Sequence, residues 1–131
     1  MTFDDAHRFI KRGDIASLRS SLHEGASPDL SNRFSWTLLM LAALEGNTPI
    51  GELLISRGAA PNRANDFGET AVSLAAHGGH APFIRLLLQN GASTDCRPHG
   101  HCLKEWVKVA SGLPENKLAS ILELLTNAGA S

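Results

Sequence analysis

The dipeptide Gly-Ala recurs at 25–26, 58–59, 91–92 and 129–130, at successive steps of 33, 33 and 38 residues. A period of this length restricts the chain to a stack of supersecondary units, each burying its apolar face only against its neighbours. Other features keep the step of 33. Trp36-Thr37 is matched by Glu69-Thr70, Leu41-Ala42-Ala43 by Leu74-Ala75-Ala76, and Leu53-Leu54-Ile55 by Leu86-Leu87-Leu88. Gly46 recurs as Gly79 and Pro49 as Pro82. A single match could be accidental; this many in one register are not.

Each unit reads as helix, turn, helix and extended loop. In the third, Thr70 is placed to cap a short helix through Ala76, with Val72, Ala75 and Ala76 forming a narrow face of small residues. Gly78-Gly79 ends that helix. Pro82 falls in the first turn of a second helix, where its missing N–H costs nothing. Ile84, Leu87 and Leu88 recur at helical spacing, and Gly91 follows as a left-handed cap.

These residues resemble ankyrin repeats. The resemblance rests on Thr37-Leu38-Leu39-Met40 and Thr70-Ala71-Val72-Ser73 at the starts of units, and on the Ala-Ala pairs. It rests also on Gly79-His80 between helices, and on Gly58-Ala59-Ala60-Pro61-Asn62 and Gly91-Ala92-Ser93-Thr94-Asp95 at the ends. It implies an all-α solenoid of four helix-turn-helix repeats, about 1–30, 31–63, 64–96 and 97–131, forming a single domain with degenerate capping repeats at both ends. The first helix, about Phe3 to Arg12, is charged and reads as a solvent-facing cap. In the last unit Leu103, Trp106, Val107 and Ala110 form a helical stripe, and a longer closing helix is expected through Thr126. Met40 and Ser73 stand where the family's start motif carries a His that bonds repeat to repeat.

Composition narrows the function. Twelve Lys and Arg against thirteen Asp and Glu leave a net charge of −1, and no basic run exceeds Lys11-Arg12, which argues against nucleic acid as the main partner. The longest apolar run, Leu38 to Leu44, is far below the roughly 20 residues of a membrane span. Two cysteines make no disulfide framework and suggest a reducing, cytoplasmic setting. No phosphate-cradling glycine motif is present, and a repeat stack offers no cleft to orient a catalytic set, so neither an enzyme nor a cofactor is expected.

The resemblance implies a module that binds a protein partner, as adaptor or inhibitor, through loop tips and the concave helix face, and that is monomeric when free. Its variable contact positions fall on Ser31, Arg33, Phe34, Trp36, Leu44 and Glu45 in the second repeat. In the third they fall on Ala64, Asp66, Phe67, Glu69, His77 and Gly78. Phe34, Trp36 and Phe67 are three of only seven aromatic residues, and aromatics dominate binding hot spots. Arg33, Asp66 and Glu69 would set orientation and association rate. The competing reading is a metal-binding or redox-sensing module on Cys96, His99, His101 and Cys102, four zinc-type ligands in seven residues. The adjacency of His101 and Cys102 favours an ordinary Pro-Gly turn instead. His80 is expected to serve its turn, and His77 and His80 to lie at the far end of the helix pair from the loop tips. A third reading is self-association through Trp106 and the closing helix.

Overall fold

A computed structural model describes residues 1–130. Among them are eight α-helices in four antiparallel pairs: α1 (Phe3–Arg12) with α2 (Ile15–His23), α3 (Leu38–Glu45) with α4 (Thr48–Ser56), α5 (Ala71–His77) with α6 (Ala81–Gln89), and α7 (Leu103–Ala110) with α8 (Glu115–Asn127). One 3-10 turn spans Pro98–Gly100. The first helices of the pairs pack side by side as an inner row, α1 to α3 to α5 to α7, and α2, α4 and α6 form an outer row. The loop tips project beside the inner row.

Local chemistry explains why each helix begins where it does. Thr2, Thr37 and Thr70 each accept a bond from the backbone N–H three residues on, which satisfies one of the helix's orphan donors. Asp14 and Asn47 cap the second helices in the same way. His80, one period further on, does not cap. Its Nε2–H donates to the Leu44 carbonyl at 3.1 Å, 36 residues away, and so ties the third unit to the second. The ring fills the space against Gly46 and Gly78, where a side chain would collide with it. The missing start-motif histidines are replaced locally: Ser73 Oγ accepts from Thr70 N–H at 2.8 Å, and Met40 Sδ lies 3.5 Å from Thr37 N. The loops between units are bonded by Asp29, whose Oδ1 accepts from Ala60 N–H, and by its counterpart Asn62, whose Oδ1 accepts from Ser93 N–H.

The core is continuous along the stack. Residues Leu38 to Ala43 of α3 and Ala71 to Ala76 of α5 are all buried, because both helices are covered on both flanks. Each fully buried leucine contributes about 1.5–3 kcal/mol relative to exposure. The alanines let the inner helices approach closely. The end of the row is different. Counted from the caps Thr70 and Cys102, buried Val72 and Ala76 of α5 correspond to Lys104 and Lys108 of α7. Lys104 and Lys108 thus place charge on α7 where α5 is apolar. The expected apolar stripe on α7 is correct for Leu103, Trp106 and Val107 but not for Ala110, which is exposed at the end of that helix.

Candidate functional site

Two loop tips, Asn32–Thr37 and Asn65–Thr70, share one backbone design. In each, the asparagine Oδ1 accepts two backbone bonds: Asn32 from Phe34 (2.9 Å) and Trp36 (3.0 Å), Asn65 from Phe67 (2.9 Å) and Glu69 (3.0 Å). The asparagine N–H also donates to the carbonyl of Trp36 or Glu69 four residues on. Asx side chains close turns in this way because the short amide mimics a backbone group. Asn32 and Asn65 were not singled out above. Their step of 33 and their position two residues before a phenylalanine were the available signal.

With the backbone pinned, the phenylalanines are pushed outward. Phe34 is 42% exposed and Phe67 45%. The tips are stitched to one another by Asp66 N–H donating to the Phe34 carbonyl at 3.0 Å, and by His99 N–H donating to the Phe67 carbonyl at 2.7 Å. That spacing places the rings in a row. Phe34 and Phe67 have centroids 6.3 Å apart, Phe67 and His99 5.7 Å, and His99 and Trp106 5.9 Å. His77 continues the row at 5.3 Å from Trp106, and the Arg33 guanidinium lies 4.9 Å from the Phe34 centroid at its other end. The row therefore crosses three repeats. His77 and His99 are joined through Trp106, contrary to the expectation that His77 lies remote from the tips.

The remaining site residues divide. Trp36 is half-buried against the core and forms a wall of the tip. Glu69 was expected to face a partner. It is only 7% exposed, its carboxylate accepting from Asn65 Nδ2 at 2.8 Å and from His99 Nε2 at 3.3 Å. The loop carrying Arg97 to His99 lies over it. Glu45 is held by Lys11 at 3.3 Å, while Leu44 beside it is 37% exposed. Arg33, Asp66, Ser31 and Ala64 are exposed.

Between α1 and the first tip lies a shallow groove of about 280 Å³. Phe3 and His7 form one wall, Phe34 and Trp36 the other, with Leu41 and Leu44 along α3 and Asn32 beneath the tip. No carboxylate lines it.

The Cys/His segment does not gather into a ligand set. Among the described residues no three His, Cys, Asp or Glu side chains converge closely enough to hold a metal. His99 is turned into the aromatic row and bonded to Glu69, whereas Cys96 packs against the core. Burial pushes the Cys96 thiol up, with a hydrogen bond to Thr70 only partly opposing it, so the thiolate that metal binding or redox exchange needs is disfavoured. Cys102 is a free thiol at the start of α7. No helix among the described residues is long and apolar enough to cross a membrane.

A family model described as ankyrin repeats, three copies, matches residues 6–98. The match begins within α1, runs through α6 into the loop after it, and stops before α7. Comparison with curated proteins finds no match.

Proposed function

The chain belongs to the ankyrin-repeat family, and from that premise we propose that it is a non-enzymatic module that grips a protein partner along its loop tips and the adjoining concave face. Ankyrin repeats generally serve as protein–protein interaction modules. The observation that carries the reading for this chain is the row Phe34, Phe67, His99 and Trp106, in which two large apolar rings stand more than two-fifths exposed on a backbone pinned by Asn32 and Asn65. Rigid exposed aromatics bury much area on binding at little entropic cost. Arg33 and Asp66 flank the row as orienting charges; Glu69 is a support for the tip and is left out of the contact set.

The test compares capture of a partner by the wild-type chain and by a Phe34→Ala, Phe67→Ala variant, after circular dichroism and melting establish that both are folded. Loss of ~2 kcal/mol or more of binding per ring is expected. A folded double variant that captures the same partner with unchanged affinity would falsify the choice of surface.

A further inference from the structure

We infer that the groove between α1 and the first loop tip takes an extended segment of the partner that carries a bulky apolar residue flanked by acidic residues. This rests on the protein-binding reading above and specifies its partner chemistry.

Three observations converge. The first is the shape and lining of the groove. Five of its seven lining residues, Phe3, Phe34, Trp36, Leu41 and Leu44, are apolar, and the Asn32 amide oxygen already accepts two backbone bonds. A volume of about 280 Å³ falls just under the roughly 300–1,000 Å³ of pockets that enclose a small molecule, which suits side chains of a bound segment. The second is continuity. Phe34 is both a wall of this groove and the end of the aromatic row, so a segment lying on the row runs directly into the groove.

The third is charge. No carboxylate lines the groove, and the neighbouring Glu45 is neutralised by Lys11. On one side stands Arg33, on the other a hollow that shares His7 with the groove and is otherwise lined by Asp4, Arg8, Lys11 and Arg12. Arg8 is paired with Asp5, but Arg12 and Arg33 are in no ion pair among the described residues. Two guanidiniums outside any ion pair, that of Arg33 over the Phe34 ring and that of Arg12 in the hollow it shares with Asp4, flank the apolar groove and complement an apolar anchor with carboxylates on both sides. A basic segment would be repelled by Arg12 and Arg33, with Asp4 of the hollow and Asp66 of the neighbouring tip as its acidic neighbours. The other cationic surface, around Arg19, His23 and Arg57, does not compete. It carries the Glu24 carboxylate and, apart from Ala16, no apolar side chain to receive an anchor.

The test uses the full chain and three synthetic peptides: acetyl-Asp-Asp-Leu-Phe-Asp-Asp-amide, the same sequence with every Asp replaced by Lys, and the acidic sequence with Ser-Gly in place of Leu-Phe. The indole N–H resonance of Trp36 reports the groove, and that of Trp106 reports the far end of the row. The acidic apolar peptide is expected to shift the Trp36 signal saturably, with the other two at least about tenfold weaker. Arg33→Glu and Arg12→Glu should each weaken the acidic peptide about two- to fivefold, more at low salt. Leu44→Asp should weaken it by about tenfold or more. Equal binding by the basic or the Ser-Gly peptide overturns the inference, as does the absence of any saturable Trp36 shift. If Phe67→Ala abolishes capture of the natural partner while Arg12→Glu and Arg33→Glu leave it unchanged, the protein-binding reading stands and this inference falls.

Discussion

The tips Asn32–Thr37 and Asn65–Thr70 have the same backbone bonds, the same asparagine brace and the same outward phenylalanine, yet they bury different residues. At the fifth position of the tip, Trp36 remains half-exposed and walls a groove, whereas Glu69 is enclosed. At the fourth position, Ser35 adopts a left-handed backbone (φ 65°) with room for its side chain, whereas Gly68 (φ 75°) lies directly against the Arg97 carbonyl. The backbone of a repeat is set by its own residues, but its burial is set by whichever loop lies next to it. The Asn65–Thr70 tip is covered by the Arg97–His99 loop, which brings His99 onto Glu69. The Asn32–Thr37 tip opens onto α1, which contributes Phe3 and His7 to a groove.

The largest effect should come from Gly68→Ala. An added Cβ meets the Arg97 carbonyl oxygen, a backbone atom that cannot swing away, in a conformation already costly for a side chain. A loss of about 3 kcal/mol is expected from the denaturation midpoint. Ser35→Ala, at the matching position, should be nearly neutral. Equal costs would mean that the two tips are covered alike and would break the comparison.

Removing the brace should be the next largest change, and again unequal. Asn65→Ala withdraws the acceptor for Phe67 and Glu69 and the donor to the buried Glu69 carboxylate, and should cost about 2–3 kcal/mol. Asn32→Ala removes two bonds in a tip open to water and should cost about 1 kcal/mol. Chemical denaturation measures both. Glu69→Gln in the Asn65→Ala background should recover part of the larger loss, since the orphaned group is then uncharged; no recovery would place the cost elsewhere than in the carboxylate.

Acid should separate the two tips by region. Hydrogen bonds from the Thr2 backbone and side chain hold Asp5 below its ordinary value, and hydrogen bonds from the Ser17 side chain and backbone do the same for Asp14. Folded values below unfolded ones contribute stability that is present above the ordinary aspartate value of 3.8 and is lost as pH falls below it. Both groups cap the first helix pair, on which the groove beside Trp36 rests. Fluorescence of single-tryptophan variants should therefore report loosening at Trp36 at a higher pH than at Trp106. Simultaneous loss, or loss at Trp106 first, would contradict this local account.

Much of this architecture was legible from the period. The Gly-Ala markers, the capping threonines and the Ala-Ala pairs locate the helix pairs because they are local chemistry repeated in register. The outward Phe34 and Phe67 were legible for the same reason. The burial of Glu69 was not, since it depends on a loop thirty residues away that departs from the repeat. His99 was hidden by its neighbours: among two cysteines and His101 it reads as a ligand, while its role in the aromatic row follows from the bond between its N–H and the Phe67 carbonyl. His80 could be assigned to its turn, but its bond to Leu44 crosses between units and requires the stacked geometry.

Ser35 offers the smallest and most specific test. It and His99 are the two described non-glycine residues with positive φ, and Ser35 occupies the position that Gly68 fills one period later. A Cβ in the left-handed region costs on the order of 1 kcal/mol, and glycine removes that cost while giving back part of it through the greater freedom of the unfolded chain. Ser35→Gly should therefore stabilise the chain by about 0.5 kcal/mol and leave the exposure of Phe34 unchanged. Gly68→Ser, the reverse exchange, should lose stability at least as heavily as Gly68→Ala because of the Arg97 carbonyl. If Ser35→Gly instead destabilises the chain, the Ser35 side chain makes a contribution at this tip that outweighs its backbone strain, and the two tips differ in their own chemistry as well as in their neighbours.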